Sequence, residues 1–130
     1  RDCIISGQDI MPTLAELANT KTPQQVTGIS FIPTLFSQNC IQRSYIHWEF
    51  QSLRKSKKSF RQAIRLDSIK VVRYGIENPI EIYNLNKDPN EMSNKASSYS
   101  NFIDQFETIF KSERKESNHY PYGGLPIVRK

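Results

Sequence analysis

Alternation of apolar and polar residues in the middle of the chain predicts four β-strands. They are predicted at residues 44–50, 61–66, 70–74 and 80–85. Asp67-Ser68 is typical of a tight turn, so the second and third strands are expected to form an antiparallel hairpin. Turn-forming residues at 86–90 end the fourth strand. These segments together indicate a small antiparallel sheet.

The first predicted strand has two faces of different character. One face is apolar and consists of Ile46, Trp48 and Phe50. The other face carries polar groups and consists of Tyr45, His47 and Glu49. We expect the apolar face to pack on the core and the polar face to meet solvent or a neighbouring surface.

Helical spacing of apolar residues predicts helices before and after the strand segments in the sequence. A short amphipathic helix is predicted at residues 9–19, with Asp9 as its N-cap, and a second short helix runs from Pro33 to Phe36. A longer helix is predicted at 100–115 with Ser100 as its N-cap. Its apolar stripe, which is expected to pack on the core, is Phe102, Phe106, Ile109 and Phe110, with Ile103 beside it. The predicted fold class is therefore α+β. It has a small antiparallel sheet of about four strands, a C-terminal amphipathic helix on one face and a short N-terminal helix.

Length and charge add little to this picture except at one segment. The 130 residues suit one compact domain covering residues 1–130, and the formal net charge is +5. This excess comes from five clustered cations, since the other 13 basic residues balance 13 acidic ones; the cluster is Arg54, Lys55, Lys57, Lys58 and Arg61. The cluster is a candidate polyanion-binding site, for example for a sulfated glycan. The alternative, which we favour, is a solvated hairpin loop.

The two cysteines, Cys3 and Cys40, allow two interpretations. They have no C-x-x-C spacing and no nearby histidine, which argues against zinc. A disulfide between them requires an oxidising compartment. From the sequence alone we favour two separate thiols.

The sequence shows no self-sufficient active site. No Ser or Thr lies in a G-x-S-x-G setting, no Gly-rich phosphate loop is present, and the carboxylates are scattered. We therefore expect no catalytic residue and no metal ligand in this chain.

Seven short segments, taken in order, resemble the C-terminal end of sulfatases. They are Asp9-Ile-Met-Pro-Thr-Leu, Gly28-Ile-Ser-Phe-Ile-Pro-Thr-Leu, Tyr45-Ile-His-Trp-Glu-Phe, Arg61-Gln-Ala-Ile-Arg, Lys70-Val-Val-Arg, Glu81-Ile-Tyr-Asn-Leu and Asp88-Pro-Asn-Glu. The resemblance implies a sulfatase C-terminal subdomain whose N-terminal catalytic domain is absent, as the start at Arg1 without an initiator Met also suggests.

The resemblance also implies what the complete enzyme uses. Sulfatases hydrolyse sulfate esters with a formylglycine made within a C/S-x-P-x-R motif and with a Ca²⁺ ion held by Asp and Asn oxygens. Neither cysteine here lies in that motif, so no cofactor is expected in this segment. The implied partners are the missing catalytic domain and a sulfated small molecule or glycan, with no membrane. The usual location of sulfatases implies a periplasmic, secreted or lysosomal protein.

Three residues are candidates for contacting the substrate. In the family, the strand Tyr45-Ile-His-Trp-Glu-Phe leads toward the catalytic domain, so His47 and Glu49 are predicted to contact the non-sulfated part of the substrate, with Arg65 beside them. The alternative is structural: His47 and Glu49 pair with each other or with Arg65 across the sheet.

Two other functional classes remain open from the sequence. The first is a free-standing basic module that binds nucleic acid or another polyanion, with Tyr45, Tyr74 and Tyr83 as stacking platforms. The excess positive charge is confined to one short segment, which argues against a nucleic-acid-binding function. The second is an inactive sulfatase paralogue retained for scaffolding.

Overall fold

The computed structural model describes residues 3–37, 39–41, 43–51 and 60–114, and the chain divides into two compact units, Arg1–Ser44 and Tyr45–Lys130. The first unit contains a 3₁₀ turn at Gly7–Asp9 followed by two short helices, α1 at Ile10–Leu17 and α2 at Ile32–Phe36. The prediction of two short helices in this part of the chain is confirmed.

A disulfide between Cys3 and Cys40 closes the first unit. The preference for two separate thiols was therefore wrong. The chain folds back between the two cysteines, so their Cα atoms lie 5.2 Å apart although 37 positions separate them in sequence. Sequence spacing carries no information on that approach.

Helix α1 presents its apolar side outward. Its buried residues are Pro12, Thr13 and Ala15. The apolar side chains at helical spacing are instead about half exposed: Ile10 53%, Met11 55%, Leu14 58% and Leu17 54%. The helix is amphipathic as predicted, but its larger apolar residues form a surface, which we call the α1 face.

The second unit is a four-stranded antiparallel sheet with a helix, which confirms the α+β prediction. The strands follow one another in the order β1-β2-β3-β4, and each pairs antiparallel with the next. The tight turn at Asp67 and Ser68 joins β2 to β3, with Asp67 in the left-handed region at φ 47°. The strands are β1 at Ile46–Gln51, β2 at Phe60–Leu66, β3 at Ile69–Tyr74 and β4 at Glu81–Asn84.

The core of this unit lies between the sheet and helix α3. A 3₁₀ segment at Ala96–Phe102 leads into α3, which spans Ile103–Ser112. The apolar residues that pack together are Ile64, Val71, Ile80, Ile82, Phe106, Ile109 and Phe110. Phe102 is half exposed and is the N-cap of α3, so its predicted place in the core and the prediction of Ser100 as the N-cap were wrong.

The two faces of β1 are reversed relative to the prediction. His47 lies opposite Ile64, which packs in the core under α3, and Glu49 lies opposite Gln62, which is 1% exposed. Since paired residues share a face, His47 and Glu49 point toward α3. On the other face, Ile46 is buried, whereas Trp48 is 42% and Phe50 is 58% exposed. Apolar alternation indicated the wrong face because the interior of this strand is polar.

Candidate functional site

His47 and Glu49 are enclosed between the sheet and α3. Their side chains are 11% and 10% exposed, and His47 Nε2 lies 4.0 Å from Glu49 Oε1. The imidazole ring is tilted on Phe110, with ring centroids 5.9 Å apart. The structure thus brings two of the three predicted substrate residues together, but inside the unit.

Arg65 lies on the opposite face of the sheet. It pairs with Ile46 in β1 and with Lys70 in β3, and its Nε donates a hydrogen bond to the backbone oxygen of Asp67 at 2.8 Å. The suggested pairing of Arg65 with His47 or Glu49 across the sheet was therefore wrong. A contact of these three residues with a substrate stays a prediction.

The environment of His47 favours its neutral form. Burial lowers the pKa of His47 below its ordinary value of 6.5, and Arg114 adds to this effect. The carboxylates of Glu49 and Glu113 act in the opposite direction without reversing it. Within the described part of the chain, His47 Nε2 is buried without a hydrogen-bond partner. At neutral pH the side chain is therefore an uncharged ring packed on Phe110.

A row of polar side chains crosses three strands on the face covered by α3. Gln62 Nε2 donates to Glu49 Oε1 at 2.6 Å, and Gln62 Oε1 accepts hydrogen bonds from Arg73 Nη2 at 2.6 Å and from Arg73 Nε at 3.2 Å. The three residues are neighbours because Glu49 pairs with Gln62 and Gln62 with Arg73 in the sheet register. The Gln62 amide thus links a carboxylate to a guanidinium.

Helix α3 and the residues that follow it complete this polar row. Arg73 Nη1 donates to Glu107 Oε1 at 2.6 Å, and the Arg73 guanidinium lies 5.0 Å from the centre of the Phe110 ring. Arg114 Nε lies 3.3 Å from Glu49 Oε2. Two carboxylates thus pair with two guanidinium groups, Glu107 with Arg73 and Glu49 with Arg114. This pairing lowers the free-energy cost of burying these charged groups. We call Glu49, Gln62, Arg73, Glu107 and Arg114 the polar row.

The polar row was missed by sequence analysis, although a signal for it existed. Gln62 lies two residues from the core residue Ile64, and Arg73 lies two residues from the core residue Val71, so both occupy inward positions. A polar residue at an inward position indicates a buried hydrogen bond. The chemistry of the row is structural: it fastens α3 to the sheet.

The first unit has its own buried ionic centre at Asp9. The Asp9 side chain is 0% exposed and accepts hydrogen bonds from Ser6 N at 2.7 Å, Ile29 N at 2.9 Å and Arg43 Nη2 at 2.7 Å. Burial acts to raise the pKa of Asp9, but these hydrogen bonds, together with the charge of Arg43, outweigh it and lower the pKa below 3.8. Asp9 precedes α1 as predicted, but its carboxylate does not cap that helix. It holds the 3₁₀ turn, Ile29 and Arg43 together.

The predicted polyanion site is only partly within the described residues. Arg54, Lys55, Lys57 and Lys58 lie outside them, so their role stays a prediction. Arg61 is described: it is exposed at the start of β2, and its guanidinium lies 5.2 Å from the centre of the Tyr74 ring.

The three tyrosines do not form a common stacking surface. Tyr45 packs against the core under α3 and its hydroxyl donates to Glu113. Tyr83 is 8% exposed, and its hydrogen bond to Glu81 raises the pKa of Tyr83 to about 12. The suggested platform of Tyr45, Tyr74 and Tyr83 is therefore wrong.

No sulfatase cofactor fits the part of the chain that the structure describes. Residues 3–37, 39–41, 43–51 and 60–114 hold no group of three or more His, Cys, Asp or Glu side chains placed to bind a metal ion. Both cysteines of the chain are joined in the disulfide, so neither is available for conversion to formylglycine. We assign no step of sulfate hydrolysis to these residues. Over the same ranges, none of the helices is both long and apolar enough to cross a bilayer.

Comparison with known proteins gives consistent matches. Arylsulfatase K of Gallus gallus is 25% identical over 118 residues, which cover 84% of this chain and 22% of that protein. The Δ4,5-hexuronate-2-O-sulfatase of Bacteroides thetaiotaomicron is 32% identical over 89 residues, which cover 68% of this chain and 18% of that protein. The solved structure of a 2-O GAG sulfatase superposes with a TM-score of 0.66 at 28% identity and covers 81% of this chain and 23% of that one.

The matches agree on one region of these relatives. The chain spans about a fifth of the length of each. The family model for the C-terminal part of N-sulphoglucosamine sulphohydrolase matches residues 1–116. With its four-stranded sheet and covering helix, the chain belongs to the N-sulphoglucosamine sulphohydrolase C-terminal family of sulfatases.

Proposed function

We propose that this chain is the C-terminal part of a sulfatase and that the complete protein hydrolyses sulfate esters. Family membership and the sulfatase relatives support the reaction class. The reactive groups would come from a catalytic domain upstream of this chain, which would hold the formylglycine and the Ca²⁺ ion. The chain itself would be inactive, because its cysteines form a disulfide and the side chain of its described histidine is enclosed between the sheet and α3.

The observation that carries the role of this chain is the α1 face. Ile10, Met11 and Leu14 line an apolar groove of about 700 Å³ together with Ala15, Ala18 and Pro23. Covering a half-exposed apolar side chain of this size stabilises a complex by roughly 1 kcal/mol. We propose that the α1 face packs against the upstream catalytic domain, because most of the length of the sulfatase relatives lies outside the matched region.

Sulfated glycans are the proposed substrate class. The supporting relatives include a hexuronate-2-O-sulfatase and a 2-O GAG sulfatase. A direct contact of His47, Glu49 or Arg65 with the substrate remains a prediction. If the His47→Ala variant of the complete enzyme has an unchanged KM and kcat, the predicted contact of His47 with the substrate is wrong.

An oxidising compartment is the proposed location. A disulfide that joins distant segments persists outside reducing cytosol. The Cys3–Cys40 bond therefore supports a periplasmic, secreted or lysosomal protein.

Release of inorganic sulfate tests the proposed function. The full-length protein and this 130-residue chain are each incubated with p-nitrophenyl sulfate and with a panel of sulfated disaccharides. We expect turnover by the full-length protein and none by the chain alone. Turnover by the chain, or an inert full-length protein across the panel, would contradict the proposal.

A further inference from the structure

The sheet face opposite α3 combines exposed rings with an exposed cation. We define the outer face by Trp48, Phe50, Arg61 and Tyr74. Trp48 is 42% and Phe50 58% exposed, and Arg61 is exposed beside them. These residues share a face because Phe50 pairs with Arg61, and Arg61 with Tyr74, in the sheet register.

The register places a guanidinium between two aromatic rings. Neighbouring strands lie about 4.8 Å apart, so Phe50, Arg61 and Tyr74 form a row about 10 Å wide across three strands. The Arg61 guanidinium lies 5.2 Å from the centre of the Tyr74 ring, which holds the cation on the surface of the sheet. Trp48 adds a further ring, two residues from Phe50 along β1.

Strand β2 brings two cations and no carboxylate to the outer face, and the carboxylate of Glu81 lies two strands away in β4. Between Glu49 and Asp67 the sequence contains six basic residues and no acidic residue. Arg65 lies four residues from Arg61 on the same face of β2, a separation of about 13 Å at the usual rise of a strand. Two cations at that spacing, with aromatic rings on both sides of Arg61 and Trp48 beside the residue midway between the two arginines, are complementary to anionic groups on successive sugars.

We infer that the outer face binds a strand of anionic polysaccharide. The apolar faces of sugar rings pack on aromatic side chains, and sulfate or carboxylate groups pair with guanidinium groups in charge-assisted hydrogen bonds. The inference rests on the proposed function, since a sulfatase acting on glycans meets such a polymer. The surface would retain the polymer near the catalytic domain between reaction cycles.

Other occupants fit the outer face less well than a glycan. Nucleic acid requires cations spread along the path of its phosphates, whereas most of these are clustered in sequence between positions 54 and 65. A covering protein domain would desolvate Arg61, which is costly unless the domain supplies a carboxylate. The α1 face, which consists of apolar side chains, is better suited to contact with a domain.

Binding of a heparin dodecasaccharide to the full-length protein tests the inference. Two variants change the surface, Arg61→Gln and Phe50→Ala, and Lys111→Gln removes one exposed cation from α3 as a matched control. We expect each surface variant to weaken binding about 5–10-fold, as loss of one charge-assisted or stacking contact does, and the control to stay within about twofold. Desulfated heparin is expected to bind weakly to all of these proteins.

Several results would overturn the inference. They are absent heparin binding, unchanged affinity in both surface variants, an equal loss in Lys111→Gln, and equally tight binding of single-stranded RNA. If both surface variants lower the melting temperature of the full-length protein but not that of this chain, the upstream domain covers the outer face. Sulfate release by the same wild-type preparation is measured in parallel. Activity without heparin binding would reject the outer face alone, whereas heparin binding without activity would reject the proposed function alone.

Discussion

Replacing Arg73 by Met should weaken the attachment of α3 to the sheet. Met keeps most of the length of the side chain but removes the guanidinium that donates to Gln62 Oε1 and to Glu107 Oε1. Gln62 is 1% exposed, so water cannot replace the lost donor at its oxygen. Glu107 is 30% exposed, so its carboxylate can be rehydrated.

The expected loss of unfolding free energy follows from these exposures. A buried acceptor without a donor costs about 1–3 kcal/mol. Loss of the guanidinium from the buried ring of Phe110 adds about 1 kcal/mol, and the partly exposed pair with Glu107 adds less than about 1 kcal/mol. We expect Arg73→Met to destabilise the second unit by about 3 kcal/mol.

Urea unfolding followed by tryptophan fluorescence measures this loss. Trp48 is the single tryptophan of the chain and lies in β1, so its emission reports on the sheet. With a slope of roughly 2 kcal/mol per molar urea, the midpoint should fall by about 1.5 M. Arg61→Met is the matched control, an exposed arginine on the other face, and should change stability by less than about 0.5 kcal/mol.

A double variant tests whether Gln62 and Arg73 act together. Each single change leaves the partner's buried group unpaired, so Arg73→Met combined with Gln62→Met should cost about 1–2 kcal/mol less than the sum of the single changes. Strict additivity, or an Arg73→Met protein as stable as Arg61→Met, would refute the account of the polar row.

Three further predictions concern the first unit. Cys3→Ser, or reduction of the bond to Cys40, should lower stability by about 4 kcal/mol, the loop-closure value for a separation of 37 residues, as measured by urea unfolding with and without dithiothreitol. The pKa of Asp9 is lowered in the folded protein, so the stability that its carboxylate contributes is present above the unfolded value of 3.8 and is lost as pH falls through the folded value. Acid titration followed by circular dichroism should therefore show a shallower loss of stability below pH 4 in Asp9→Asn than in the unchanged chain. Gly28→Ala places a Cβ 1.9 Å from the backbone oxygen of Gln8, so the strain should lower the melting temperature by several degrees, and an unchanged value would contradict this packing.

Local patterns were sufficient to predict the elements of the fold. Alternation located the strands to within a residue or two at each end, and the turn at Asp67 fixed the antiparallel pairing of β2 and β3. The apolar stripe of Phe106, Ile109 and Phe110 identified α3 and its buried side. These features depend on neighbours along the chain, which a sequence displays directly.

Features that depend on distant contacts were not predictable in the same way. The inward face of β1 is decided by partners in β2 and beyond, so apolar alternation placed His47 and Glu49 outside although the sheet encloses them. The disulfide depends on a fold that brings Cys3 to Cys40, and the burial of Asp9 depends on Arg43, 34 residues away. Each of these requires the three-dimensional approach of segments that the sequence separates.

Contact of the α1 face with an upstream domain is the central claim, and the two methionines of the chain test it directly. Met11 lies on the α1 face and is 55% exposed in this chain, whereas Met92 is 83% exposed and lies in the second unit. Peroxide oxidation followed by peptide mass spectrometry compares the chain with the full-length protein. We predict that Met11 is oxidised readily in the chain and is protected at least about tenfold in the full-length protein, a factor that corresponds to about 1.4 kcal/mol, while Met92 reacts at similar rates in both. Equal oxidation of Met11 in the two proteins would contradict the account.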